Sequence, residues 1–315
     1  MAARGEAKPL HMSRLRFAVS LITQESDYQR EQAEAAQQTA RRLNVDLQIF
    51  YADNDAIKQS QQLFEVIQNP ASCVNALILE PAGSTAFPQV AKAAVAAGMG
   101  WVVMNREDPS ISELRAQAKV PVFAVSADQE ETGRILGRQI GILLPDGGNV
   151  ICIQGPSSNP VSKQRMAGMS ETKPDNIRLK LLRSTFWTEA AGYQTVKSWL
   201  SLSVSHDEDV AAVIGQSDLI TTGARRAFEE LTIGKARDRW MGLPFLGVNG
   251  LKLGQDAVRN RFFASTVVVP PTSVPAIELL VTEYRDGKKA PERTLVGPQS
   301  LPDLRQLTER VNVNL

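Results

Sequence analysis

Residues 75–106 read NALILEPAGSTAFPQVAKAAVAAGMGWVVMNR. The apolar run 76–80 is strand-length and is stopped by Pro81. Residues 85–97 form an alanine-rich helical stretch ended by Gly98, and a second apolar run, 101–104, leads into Asn105 and Arg106. This is one strand–helix–strand unit, and the rest of the chain repeats it. Upstream, 15–21 and 46–51 predict strands. Residues 28–43 predict a helix with Ala33, Ala36, Ala40 and Leu43 on one face, and 56–69 a helix with Ile57, Phe64 and Ile67 on its buried stripe. A strand at 122–125 completes a first set.

The second half starts the pattern again. Strands are predicted at 149–154, 179–184, 210–214, 245–249 and 262–269, the first announced by Asp146-Gly147-Gly148. Helices are predicted at 129–144, 160–172, 188–200, 219–231, 252–260 and 271–286. Alternating strands and helices imply parallel sheets covered on both faces. Two sets of about five strands imply an α/β chain of two doubly wound, Rossmann-like domains, as expected of 315 residues at ~150 per domain. Ligands in such folds bind beyond the carboxyl ends of the strands.

Composition removes several classes of function. The chain is 43% hydrophobic and carries 35 Lys and Arg against 34 Asp and Glu, a net charge of +1. That balance argues against nucleic acid and against a polybasic membrane surface. The apolar run 93–104 is far short of the ~20 residues of a spanning helix, so no membrane insertion is expected. Two cysteines, Cys73 and Cys152, cannot build a disulfide framework or a four-thiolate zinc site and read as free thiols. The segment after the first strand, Thr23 to Tyr28, contains no glycine, which drops dinucleotide and P-loop readings. His11 falls in the unstructured amino terminus, 1–13, and His206 in a solvated acidic loop. With no HExxH or GxSxG motif, no metal, no cofactor and no enzyme are expected. Glu25, Asp27 and Glu107 are the carboxylates that a catalytic alternative would use. The first residues lack the apolar core of a secretory signal.

The candidate ligand-binding residues follow the strands. Asp27 reads either as a helix N-cap or as a ligand contact, and Tyr28 either packs or presents its ring. Arg106, after Asn105, offers a planar fork for hydroxyls or a carboxylate. Ser157-Ser158-Asn159 precede the helix carrying Lys163 and Arg165. Trp187 follows one strand, Ser217 and the expected N-cap Asp218 another, and Asn249 a third.

These segments resemble a known family. Residues 75–81, Val95-Ala96-Ala97-Gly98 and Val102 to Arg106 are similar to the central signature of type I periplasmic sugar-binding proteins, the ribose-binding-protein and lactose-repressor-core superfamily. So are Gln164 to Met169, Gly215 to Asp218, Leu246 to Gly250 and Ala264 to Val267. The resemblance runs from about residue 15 to 296. It implies two lobes, 14–126 plus 269–296 and 127–268 plus 297–315, joined by a three-strand hinge and closing on a small polar ligand. It implies uptake through an ABC permease in the periplasm, with signalling to a histidine kinase as the alternative and a cytoplasmic or trimmed form left open. A DNA-binding regulator would need ~50–60 further residues ahead of the core.

Carried over residue by residue, the resemblance makes Tyr28 and Trp187 the stacking aromatics, Arg106 the arginine after the fourth strand, Lys163 the basic residue of the second-lobe helix with Arg165 two residues on, and Ser217 the replacement for an amide. Asn105 and Asn249 stand where ribose-type members carry aspartate, Asp27 where they carry an aromatic, and Val269 in place of a late glutamine. Two carboxylates becoming amides beside Arg106, Lys163 and Arg165 favours a sugar derivative with anionic character. Glu25 and Asp27 act against it.

Overall fold

The computed structural model describes residues 14–83, 87–106, 108–157, 159–202 and 209–313. The expected unstructured segment 1–13, His206, Glu107 and Ser158 lie outside them. The chain divides into two compact units, residues 1–126 with 271–294 and residues 127–270 with 295–315. The chain therefore passes between units three times. The lobes expected from the resemblance put residues 269, 270, 295 and 296 with the first unit, whereas the contacts group them with the second. Val269 shows why at one boundary: its N–H donates to Asn249 O and its side chain joins the second unit's core.

The first unit's sheet is built of strands β1 (Arg16–Leu21), β2 (Asp46–Tyr51), β3 (Ala76–Leu79), β4 (Gly100–Met104), β5 (Val122–Ala127) and β11 (Arg293–Val296) in the order β11-β5-β4-β3-β1-β2, with the last residues of β5 and β11 lying at the boundary where the contacts pass to the second unit. Pairing through β1–β5 is parallel, with Phe17 opposite both Leu47 and Ala76. Helices α1 (Asp27–Arg42), α2 (Ala56–Gln68), α3 (Pro88–Ala96), α4 (Ser110–Gln117) and α11 (Ser273–Asp286) flank it. The central strands β3 and β4 are buried throughout, which is why they read as continuous apolar runs. Leu77, Leu79, Trp101 and Val103 meet Leu63, Val90 and Ala94 in one core layer.

The second unit repeats the plan with β6 (Gly148–Gln154), β7 (Ile177–Arg183), β8 (Val210–Gly215), β9 (Phe245–Asn249), β10 (Ser265–Val268) and β12 (Gln299–Leu301) in the order β12-β10-β9-β8-β6-β7. Only β12 runs antiparallel to its neighbour among the recorded pairings of this sheet. Helices α5 (Gln129–Leu143), α6 (Pro160–Thr172), α7 (Glu189–Leu200), α8 (Asp218–Leu231), α9 (Gly234–Met241), α10 (Lys252–Arg259) and α12 (Leu304–Val313) cover its faces. Asp128 caps α5, and Asn159 caps α6, whose first residue is Pro160. At Gly133 on α5 and Gly168 on α6 a Cβ would overlap the partner helix backbone, so these glycines set how closely the two helices pack.

The structure differs from the sequence expectation in identifiable ways. Helices α4, α9 and α12 and the short strands β11 and β12 were not anticipated; each is short or lies on an edge, where the apolar period is weak. Strand β10 covers Ser265–Val268 only, because Phe262 and Phe263 belong to the turn that closes α10. Ile57 is 71% exposed, and α2 buries Gln59, Leu63 and Val66 instead. Ser26, not Asp27, is the N-cap residue of α1, and Asp27 opens the helix paired with Arg30. Ser217 is the N-cap residue of α8, and Asp218 is its fully buried first residue. Cys73 is exposed and Cys152 buried, both as free thiols. Among the described residues, no helix is long and apolar enough to cross a membrane.

Candidate functional site

In each unit the polar side chains gather where the strands end. In the first unit Glu80, directly after β3, is buried, and its carboxylate accepts from Gln29 Nε2 at 2.9 Å and Asn105 Nδ2 at 3.2 Å. Burial pushes the Glu80 carboxyl above the usual carboxylate range, against the pull of those two amides and of the Arg106 charge. Gln29 is oriented by Ile22 N–H, which donates to its Oε1 at 2.9 Å. Asn105 Nδ2 also donates to Tyr28 Oη at 2.8 Å, and Gln32 Nε2 donates to the same oxygen at 3.0 Å. Asn105 sits at φ +55°, a left-handed conformation that asparagine tolerates, and this turns the chain at the end of β4. Its Oδ1 is buried and accepts no hydrogen bond among the described residues.

In the second unit the centre is Arg165, 4% exposed on α6. Its Nε donates to Gln129 Oε1 at 2.8 Å, its Nη1 to Gln216 O, and its Nη2 to Asn249 Oδ1 at 2.8 Å. The guanidinium carbon lies 5.7 Å from the centre of the Trp187 ring. That ring covers Gly155, where any Cβ would overlap the indole. Gln216 is committed at both ends, accepting from Gly155 N–H and donating to Ser162 O, each at 3.1 Å. Asn249, at φ +102°, ends β9. Ser217 is buried beside Gln216.

The structure thus brings Tyr28 and Asn105 together in one cluster, with Arg106 acting on its carboxylate. It brings Arg165, Trp187 and Asn249 together in another, with Ser217 adjacent. It does not bring in Lys163, which is exposed on α6, or Asp27, which is engaged with Arg30. Glu25 is exposed, and no cluster of three metal-ligating side chains occurs among the described residues. Sequence reasoning overlooked Glu80, Gln29, Gln32 and Gln129, and noted Gln216 only as part of the strand-end run Gln216-Ser217-Asp218. Glu80 carried a visible signal, a lone carboxylate ending an apolar strand before Pro81. Gln29 and Gln32 carried none, since they read as ordinary helix positions until packing buries them on the alanine face of α1.

Over 172 residues the chain is 28% identical to a D-ribose/D-allose-binding protein of Pseudomonas aeruginosa, covering 54% of this chain and 52% of that protein. Over 286 residues it is 24% identical to a D-apiose import binding protein of Paraburkholderia graminis, covering 89% and 85%. For the first curated relatives matched, the aligned part spans 52–60% of their length. Among solved structures, an ABC transporter periplasmic solute-binding protein from Actinobacillus succinogenes with bound D-allose superposes with a TM-score of 0.78 at 20% identity, covering 94% of this chain and 100% of that one. A Caulobacter myo-inositol-binding protein gives 0.74 at 18% identity, covering 96% and 98%. These likenesses show the fold, two α/β lobes with parallel-sheet cores. The family model of the periplasmic binding protein domain matches residues 17–281, and the chain belongs to that family.

Proposed function

We propose that this protein is a solute-binding protein for a small polyhydroxylated ligand, a sugar or sugar derivative, which it supplies to an ABC-type permease in the periplasm. The observation that carries this reading is the Arg165 cluster, an aromatic face beside a buried fork of donors at the strand ends. An indole covers C–H groups while guanidinium and amide groups bond hydroxyls, the usual division of labour in sugar recognition. Relatives named for ribose, allose, apiose and xylitol support the ligand class.

The anionic character expected from the sequence loses support in both units: Lys163 is exposed, and in the second unit buried Asp218 acts on Arg165. In the first unit buried Glu80 acts on Arg106 and offsets its charge. Delivery to a signalling partner is the second reading, favoured by the likeness to a fructose-binding periplasmic domain of a hybrid two-component system, TM-score 0.72.

The test is a thermal-shift screen followed by calorimetry with D-ribose, D-allose, D-apiose, xylitol, myo-inositol and their sugar-acid counterparts. A ligand present at 100 times its Kd adds about 2.7 kcal/mol of stability. One selective polyol or sugar acid is the expected result. A flat response across the panel overturns the reading.

A further inference from the structure

The two segments that grip Arg165 also hold a buried carboxyl. Arg165 Nη1 donates to Gln216 O, two residues before Asp218, and Nη2 to Asn249 Oδ1, two residues before Leu251. Leu251 N–H donates to Asp218 Oδ2 at 2.8 Å, and Thr266 Oγ1 to Asp218 Oδ1 at 2.6 Å. Asp218 is fully buried, and a Cβ at Gly247 or Gly254 would overlap its carboxyl, so packing fixes its place. Among the elements packed against it, β9 and β10 carry no titratable side chain. Lys252 and Asp256 on α10 and Arg225 on α8 are the charges nearest along the chain. The charge that acts on Asp218 is Arg165, whose bonds to Gln129, Gln216 and Asn249 go to neutral oxygens.

We propose that Asp218 is a positioning residue that sets the ligand's charge class through Arg165: as a carboxylate it offsets the guanidinium and the site prefers a neutral polyol, and as a carboxylic acid it leaves that charge to the ligand and the site prefers a sugar acid. This deepens the sugar-binding reading above and rests on it. The change of charge needs no change of shape. A hydroxyl can donate to a carboxylate or accept from a carboxylic acid, so Thr266 reverses its bond while Leu251 N–H keeps the other oxygen. Burial pushes the carboxyl up to about 7, which brings both forms within reach near neutrality. Two like charges roughly 10 Å apart at an effective dielectric of ~20 change an affinity by about tenfold, so an anionic ligand binds best where Asp218 is protonated.

The readout is a ratio, the affinity for a sugar acid over that for its parent sugar, taken by calorimetry for whichever parent of the panel above binds. A sugar carboxylate stays ionised from about pH 5.5 to 8.5. In the wild type the ratio falls about tenfold across that range. In Asp218→Asn the ratio at about pH 8.5 is about tenfold above wild type, and its slope with pH is shallower. A residue that only supported the fold would weaken both ligands and leave the ratio in place. If the variant fails to fold, carboxyl-13C NMR of aspartate-labelled wild type reads the same coupling without a signal from Glu80. One midpoint near 7 then rises by about one pKa unit with the sugar acid bound and stays with the parent sugar. An equal ratio in variant and wild type, a midpoint that the sugar acid does not move, or refusal of sugar acids at about pH 5.5 by protein that binds the parent overturns the proposal and leaves sugar binding intact. No binding by any polyol or sugar acid removes the sugar-binding reading and this inference together.

Discussion

Thr266 Oγ1 on β10 donates to Asp218 Oδ1 at 2.6 Å, while the other carboxylate oxygen of Asp218 accepts from Leu251 N at 2.8 Å. One buried carboxyl at the start of α8 thus ties β10 to the turn that follows Asn249. Gly247 and Gly254 line it so closely that neither position admits a Cβ. Burial pushes the Asp218 carboxyl up to about 7, against the opposing pull of Thr266, Leu251, Arg165 and Gly250.

A pH dependence of stability follows. An unfolded aspartate titrates near 3.9, so between about pH 4 and 7 the folded chain holds a proton that the unfolded chain has released. The contribution of Asp218 is fully present below about pH 4 and is lost as pH rises through 7. A shift from 3.8 to about 7 corresponds to about 4 kcal/mol at 1.36 kcal/mol per pKa unit. Asp218→Asn keeps the shape and removes the titration. Urea midpoints at pH 5 and pH 8 should differ less in this variant than in the wild type, and equal differences would refute the assignment.

Arg165→Met is expected to destabilise the second unit by about 2–4 kcal/mol, because Gln129 Oε1, Gln216 O and Asn249 Oδ1 each lose a charged donor. Arg165→Lys should recover only part of this, since an ammonium cannot reproduce the planar fork. Urea unfolding measures the stability. Calorimetry with a bound sugar should show both variants weakened, with lysine between methionine and wild type.

Gly155→Ala should displace Trp187, whose ring occupies the space of the new methyl group. The overpacking cost is about 1–3 kcal/mol. Trp101, Trp199 and Trp240 are buried, so acrylamide quenching of tryptophan fluorescence reports mainly on half-buried Trp187. Stronger quenching and weaker sugar binding are expected together. Unchanged quenching would show that the indole does not depend on this glycine.

The two thiols should react at very different rates. Cys73 is exposed, whereas Cys152 is enclosed in β6 with its thiol pushed up to about 12 by burial. Maleimide should modify one thiol per chain at once, the second appearing only as urea opens the second unit. Fast modification of two thiols in the folded protein would contradict the packing of β6.

Much of the fold was legible because buried parallel strands write themselves as unbroken apolar runs. The stretches 76–80 and 101–104 match β3 and β4 to within a residue. What escaped was decided by packing. Ile57 continues the apolar period of α2 yet faces solvent, while Gln59 on the same helix is buried because its amide bonds Ser20 Oγ and Glu80 O. The site followed the same division. Arg165, Trp187, Asn105 and Asn249, singled out around the strand ends, lie in the two polar clusters, whereas Lys163 lies outside them because two residues along a helix is about 200° of rotation, so the arginine that turns inward leaves the lysine in solvent.

The placement of β11 and β12 bears on how the chain matures. Each forms an edge of its sheet, β11 beside β5 and β12 beside β10, and only Gly297 and Pro298 separate them. A nascent polypeptide that has emerged as far as Asp286 has two strands, one per unit, still lacking a neighbour. Unpaired strand edges invite association with other chains. Neither sheet is finished before the other in any useful sense, because one short C-terminal passage completes both. Synthesis that stalls or is truncated within that passage should yield aggregation-prone protein in both halves at once rather than one sound half and one damaged half.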